Sequence, residues 1–162
     1  MNAMTLLHID AENTVVTVRR PSDPSATLAL ALGSQKTARD HFKHTPPSPL
    51  EVENAIVAVE DEVTRAKAMI PPGSGLFTAD ANVREIARHS GVVDAASMRL
   101  SVEAVERTFD RFAAVSLGRP ATHEGLPDNA GFAATLLILR EFMHHLQFAQ
   151  ITILESTPEG IE

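Results

Sequence analysis

The sequence predicts an α/β domain with helices packed on one mixed sheet of about five strands, and three observations carry that reading. The first third of the chain alternates apolar and polar residues with period two in consecutive runs separated by short polar connections. Beyond residue 48, apolar residues recur at spacings of three and four, the period of amphipathic helices. Two short apolar runs, at 75–78 and 151–154, fall among or after these helices and supply single strands.

Residues 5–10 form a first short strand, and residues 13–20 set Val16 and Val18 against Thr17 and Arg19 before the turn cluster Pro21-Ser22-Asp23-Pro24-Ser25. A third run over 27–32 alternates Leu28, Leu30 and Leu32 with Thr27, Ala29 and Ala31. Tight connections make these three an antiparallel meander. Gly33-Ser34 ends the alternation, and 35–43 reads as a short helix stopped by Pro46-Pro47.

The next helix has the clearest start in the chain. Ser48 stands as N-cap, Pro49 at the first helical position and Glu51 at the third, which is a capping box with its proline in the tolerated place. Val52, Ile56, Val59, Val63, Ala66 and Ile70 then form one buried stripe ending at Pro71-Pro72-Gly73. After the strand at 75–78, helices are predicted over 80–89, 101–117 and 128–147. The last carries Phe132, Leu136, Leu139, Met143 and Leu146 on one face and Leu137, Ile138 and Phe142 beside it, so it should be buried on more than one side.

Composition narrows the function. The 162 residues fit one domain, 44% apolar and 22% charged. No apolar run nears the roughly 18 residues of a membrane span, and the first residues lack the pattern of a signal peptide, so a cytoplasmic protein is expected. The absence of cysteine excludes disulfides and thiolate chemistry. Fourteen basic against twenty-one acidic residues give a net charge of −7, which repels phosphate backbones and anionic membranes. Seven Phe with no Trp or Tyr offer little for base stacking, so neither nucleic acid nor membrane is expected as partner.

Four stretches resemble the exopolyphosphatase / guanosine-pentaphosphate phosphohydrolase (Ppx/GppA) family. Leu30-Ala31-Leu32-Gly33-Ser34 through Phe42, then Pro46-Pro47-Ser48-Pro49-Leu50-Glu51, is similar to its "leu-pro-leu-gly-(ser/ala)-val-arg-leu" strand and "pro-thr-pro-glu-glu" helix start. The stretch from Phe77 to His89 resembles its "gly-gly-thr" turn and following helix. Met98-Arg99-Leu100-Ser101 through Leu117 resembles the helix after that, and Gly125-Leu126-Pro127-Asp128 through Thr152 the "gly-leu-pro-x-x-arg-ala-asp" helix and its strand. The resemblance covers nearly the whole chain in order. It implies one RNase H-like lobe of the actin-like ATPase superfamily, the family's second lobe, over 1–162.

The departures from the family's pattern fall at its phosphate turns. The family's "asp-x-gly-gly-gly-ser" loop corresponds to Asp10-Ala11-Glu12-Asn13-Thr14, which has no glycine to let backbone approach phosphate. The "gly-gly-thr" turn has become Ala79-Asp80-Ala81, where Asp80 is expected to cap the helix amides itself and repel an anion. Asn129 and Gly131 replace the family's Arg and Asp, and Thr157-Pro158-Glu159-Gly160-Ile161 lacks the arginine of its C-terminal motif. The first lobe, with the other phosphate loop and the general base, has no counterpart in the sequence. Phosphoryl transfer depends on positioning and charge stabilisation from both sides. The expectation is therefore a pseudoenzyme acting through a homodimer or a partner protein.

Two alternatives stand beside it. A residual cleft formed by Asp10, Glu12, Thr14, Asp80, Asn82 and Arg84 would bind a small phosphorylated ligand or a cation, with Arg84 offsetting the acidic turns. Alternatively, the lobe would complete a split phosphatase with a second chain. No cofactor is expected, Mg²⁺ being the one ion the carboxylates of Asp10, Glu12 and Asp80 would suit. Elsewhere, Gly33-Ser34-Gln35-Lys36-Thr37 lacks the glycines of a P-loop. His41 and His44 read as helix-end histidines, His144 and His145 as core edge plus surface, and Glu60-Asp61-Glu62 as a solvated face.

Overall fold

The computed structural model describes residues 3–158. Strands β1 (Met4–Ile9), β2 (Thr14–Arg19) and β3 (Ala26–Leu30) pair antiparallel as the meander that the alternation predicts. Strand β4 (Gly75–Thr78) joins the other edge of β1 in parallel, and β6 (Gln150–Ile153) joins β4 in parallel. Strand β5 (Met98–Ser101) closes the sheet antiparallel to β6, giving the order β3-β2-β1-β4-β6-β5. The sheet thus has six strands, one more than expected. Four residues running directly into a helix are too short to display a period, although Met98 and Leu100 are buried and Arg99 is exposed.

Among the described residues, six α-helices pack with the sheet: α1 (Ser34–His41), α2 (Pro49–Val63), α3 (Ala81–His89), α4 (Val102–Ser116), the short α5 (Ala121–Glu124) and α6 (Ala130–His145). The capping box of α2 is formed: Ser48 Oγ accepts from Glu51 N–H at 3.2 Å, and Glu51 Oε1 accepts from Ser48 N–H at 2.9 Å. The helix stops at Val63, short of Ile70, and tightens into a 3-10 segment over Thr64–Met69. There the Thr64 hydroxyl donates back to the Asp61 carbonyl at 2.9 Å, competing with the helical bonding pattern. Ser101 caps α4 through Ala104 N–H, and Asn129 caps α6 through Phe132 N–H.

Helix α6 packs against α1, α2, α3 and α4. Every residue from Ala133 to Leu139 is buried, which confirms the multi-sided burial that its wide apolar surface predicts. Leu7, Ile9, Val16, Leu30, Leu76, Leu100 and Ile151 supply the sheet's share of the same core. No described helix is long and apolar enough to cross a membrane. Residues 159–161 of the C-terminal motif lie outside the described region.

Candidate functional site

The β1–β2 turn, the start of α1 and the start of α3 meet at the C-terminal ends of β1 and β4, where the two altered turns were expected to face one cleft. Asp10 N–H donates to Asn13 O at 2.9 Å and closes the hairpin. The turn's outward carbonyls are occupied. Asp10 O accepts from Ser34 N–H at 2.9 Å, and Ala11 O accepts from Gln35 and Lys36 N–H at 2.9 and 3.0 Å. First-turn amides of α1, donors that a helix otherwise presents to an anion, are therefore consumed by the hairpin. Gly33 permits this contact, because a Cβ there would sit 2.3 Å from Ala11 O. Its role is close approach, since its backbone is extended.

Asp80 begins α3 but its side chain does not cap that helix, contrary to expectation. Its Oδ2 instead accepts from Ile9 N–H at 2.7 Å. Asn82 completes the clasp by donating from Nδ2 to Ile9 O at 3.0 Å. Strand pairing between β1 and β4 covers only Met4 to Leu6 on β1, so these two side chains hold β1 beyond the paired region. Unpaired main-chain groups of a part-buried strand end are costly, which is the reason for the arrangement.

Thr14 is fully buried and donates to Leu32 O at 2.9 Å, so it does not face the cleft. Glu12 is exposed and paired with Arg39 at 2.7 Å, a hydrogen bond that lowers its carboxyl pKa. Arg84 turns away from the acidic turns and donates to Ala95 O at 2.7 Å and Asp94 at 3.2 Å. It offsets no charge at the cleft. Asp10 remains exposed, with its Oδ1 on Ala11 N–H at 2.8 Å.

His8 is the residue the sequence reading missed. Its Nδ1 meets Asp80 Oδ1 at 2.5 Å and its Nε2 lies 3.8 Å from Asp10 Oδ2. The available signal was the strand period, which places His8 and Asp10 on one face. The imidazole is thus held between two carboxylates, one at each turn. Beside it, Ser34, Gln35, Asn82, Glu85, Asn129 and Thr135 line a cavity of about 160 Å³. Asn82 Oδ1 is the one buried side-chain polar atom without a partner among the described residues. A larger cavity of about 590 Å³ lies at the opposite sheet end, by Gly75 and Gln150.

Other sequence-level readings settle locally. His44 pairs with Glu51 at 3.2 Å. Glu60-Asp61-Glu62 is not uniformly solvated: Asp61 is exposed, but Glu62 accepts from Ala31 N–H at 2.6 Å and Glu60 approaches His145 at 3.8 Å.

The six strands and the helices packed on them form one mixed α/β lobe. No protein-family profile matches the sequence, and no curated protein matches it significantly. Solved structures do. The Ppx/GppA phosphatase of Aquifex aeolicus, in its type II variant, matches with a TM-score of 0.78 at 13% identity over 95% of this chain and 53% of that one. An exopolyphosphatase-like protein matches with a TM-score of 0.74 at 13% identity over 94% and 55%. The exopolyphosphatase of Cytophaga hutchinsonii matches with a TM-score of 0.68 at 10% identity over 94% and 53%. This chain thus has the fold of one half of these molecules and spans about half their length.

Proposed function

We propose that this chain is a non-catalytic Ppx/GppA-like domain that works through assembly, as a homodimer or with a partner protein. The observation that carries the reading is the closure of the first turn, where α1's first amides are spent on Asp10 O and Ala11 O; at the second, the Asn82 side-chain amide is spent on Ile9 O. Catalysis of phosphoryl transfer needs donors held free and aimed at the transferring group. Donors already satisfied inside the fold do not serve. The assembly part is supported by α2, where Leu50 and Val57, seven residues apart on one face, are 65% and 59% exposed. The test pairs two measurements. Phosphate release from polyphosphate and guanosine pentaphosphate with Mg²⁺ should stay at the buffer rate, and light scattering should report a mass above 17.5 kDa. Turnover by the purified chain overturns the non-catalytic reading, and a clean monomer that captures no partner overturns assembly.

A second reading is favoured by Asn82 Oδ1. An unpartnered acceptor beside the cavity of about 160 Å³, with Glu85 in its wall, suits a small cation or a donor-rich ligand better than a phosphate. A thermal-shift panel of Mg²⁺, ammonium, polyphosphate and nucleotides checks it. A ligand at 100 times its dissociation constant adds about 2.7 kcal/mol, so unchanged melting across the panel removes this reading.

A further inference from the structure

We propose a second site, unrelated to the phosphate turns, in which Glu60, Glu141 and His145 bind a divalent transition-metal ion between α2 and α6. The three residues offer one ligand atom each, all within 4.8 Å of one another. His145 Nε2 lies 3.1 Å from Glu141 Oε1 and 3.8 Å from Glu60 Oε2. Two ligands each bound to zinc at roughly 2.0–2.2 Å can stand no more than about 4.4 Å apart, so both contacts of His145 already lie within bridging range. Glu60 is 44% exposed on its side chain and free to adjust. Glu141 and His145 are four apart on one helix face, which fixes their half of the site.

The electrostatics call for a cation. Glu141 is only 2% exposed, a burial rare for a carboxylate. Its Oε2 is taken by Arg140 at 2.7 Å, but that guanidinium is shared with Glu106 at 2.9 Å and lies over the Phe109 ring. Glu60, Glu106 and Glu141 against one arginine leave two negative charges when the imidazoles are neutral. A divalent ion balances them. The 3.1 Å contact of Nε2 with Glu141 Oε1 is a hydrogen bond when the proton sits on Nε2, and with the proton on Nδ1 both atoms are free to ligate a metal ion. A proton on Nε2 can point at one carboxylate, whereas a metal serves both. The site also stands at the C-terminus of α6, the end of the helix dipole that favours positive charge.

The donor set selects the ion. One imidazole with two carboxylates suits Zn²⁺ or Mn²⁺ and not Mg²⁺, which prefers oxygen alone. Three protein ligands leave a position for water or a further ligand. His145 is also part of the wall of the 590 Å³ cavity.

The test uses the untagged full chain, stripped with chelator and titrated with ZnCl₂ by calorimetry, with Co²⁺ as a spectroscopic probe. Saturable binding of one equivalent is expected, with the visible band of low-coordinate Co²⁺. Glu60→Gln and His145→Gln should each weaken Zn²⁺ binding by at least about ten-fold and abolish the band, with melting of the metal-free chain confirming that each folds. Glu60→Gln guards against loss of fold, because its side chain is part-exposed. His41→Gln and His44→Gln should leave binding unchanged. Failure to bind one equivalent, or binding that survives Glu60→Gln and His145→Gln, overturns the proposal.

Discussion

Gly33 shows how one residue can fix the relation between a turn and a helix. A methyl group at this position would enter the space of Ala11 O at 2.3 Å and of the Glu12 backbone at 2.8 Å. Neither neighbour is a flexible side-chain end, so Gly33→Ala should destabilise by about 1–3 kcal/mol, read as a lower urea midpoint. An unchanged midpoint would show that the hairpin is free to move. Asp80 makes the complementary case for a polar side chain. Its carboxylate accepts the Ile9 amide, and the loss of a partner to a part-buried donor costs about 1–3 kcal/mol. Asp80→Ala should therefore melt earlier by that amount, and Asp80→Asn, which keeps an acceptor oxygen, should lose less. The sequence marked Asp80 as a helix cap and placed Asp80 and Asn82 in a ligand cleft only as an alternative. Their partner is a main-chain group 71 and 73 residues away, respectively, and no local pattern names it.

At the scale of elements, most boundaries were legible because caps and apolar period are local properties. The box of Ser48 and Glu51 was visible as spacing and is formed. Ser48→Ala should cost about 1 kcal/mol in thermal or urea unfolding. Glu51 also gives a pH signature. Hydrogen bonds from the Ser48 and Lys43 amides, with His44 adding to them, hold its carboxyl at about 2 against an ordinary 4.5. A depressed folded value means that its stabilisation is present above 4.5 and is lost as the pH falls through about 2. Urea midpoints measured at about pH 5 and again at about pH 2.5 should drop further in the wild type than in Glu51→Gln. Equal drops would remove Glu51 from acid sensitivity. Helix α6 is the element on which the others rest, and Leu137, fully buried within it, should cost about 2–5 kcal/mol on truncation to alanine. What local pattern failed to show was β5, whose four residues are defined by pairing with β6 some fifty positions later, and the 3-10 ending of α2, where Thr64 competes for a carbonyl.

For the whole molecule, the fold of one half of the matched Ppx/GppA structures is joined to a hairpin turn whose carbonyls take up the first amides of α1. Light scattering over rising concentration tests the assembly reading at this scale. A homodimer should approach twice 17.5 kDa, and Leu50→Glu with Val57→Glu should return it to the single-chain mass if the exposed face of α2 is the contact. A dimer that persists in that double variant places the contact elsewhere. The net charge of −7 belongs to this scale too, but its distribution does not follow from the count. Glu12 is neutralised by Arg39 and Asp80 faces His8, while the α2–α6 seam collects carboxylates around Arg140. While a family resemblance singled out the turns at Asp10 and Asp80, the sequence by itself determined the class of fold, the order of nearly all its elements and the central burial of α6. Period, caps and glycine content suffice for these because they act over a few residues. Only the tertiary structure decided what the polar side chains of those turns bind, that His8 joins two of them, and that Glu60 meets Glu141 and His145. Those partners are brought together by packing across elements far apart in the chain, and a hydrogen-bonding group carries no local mark of which distant partner it will find.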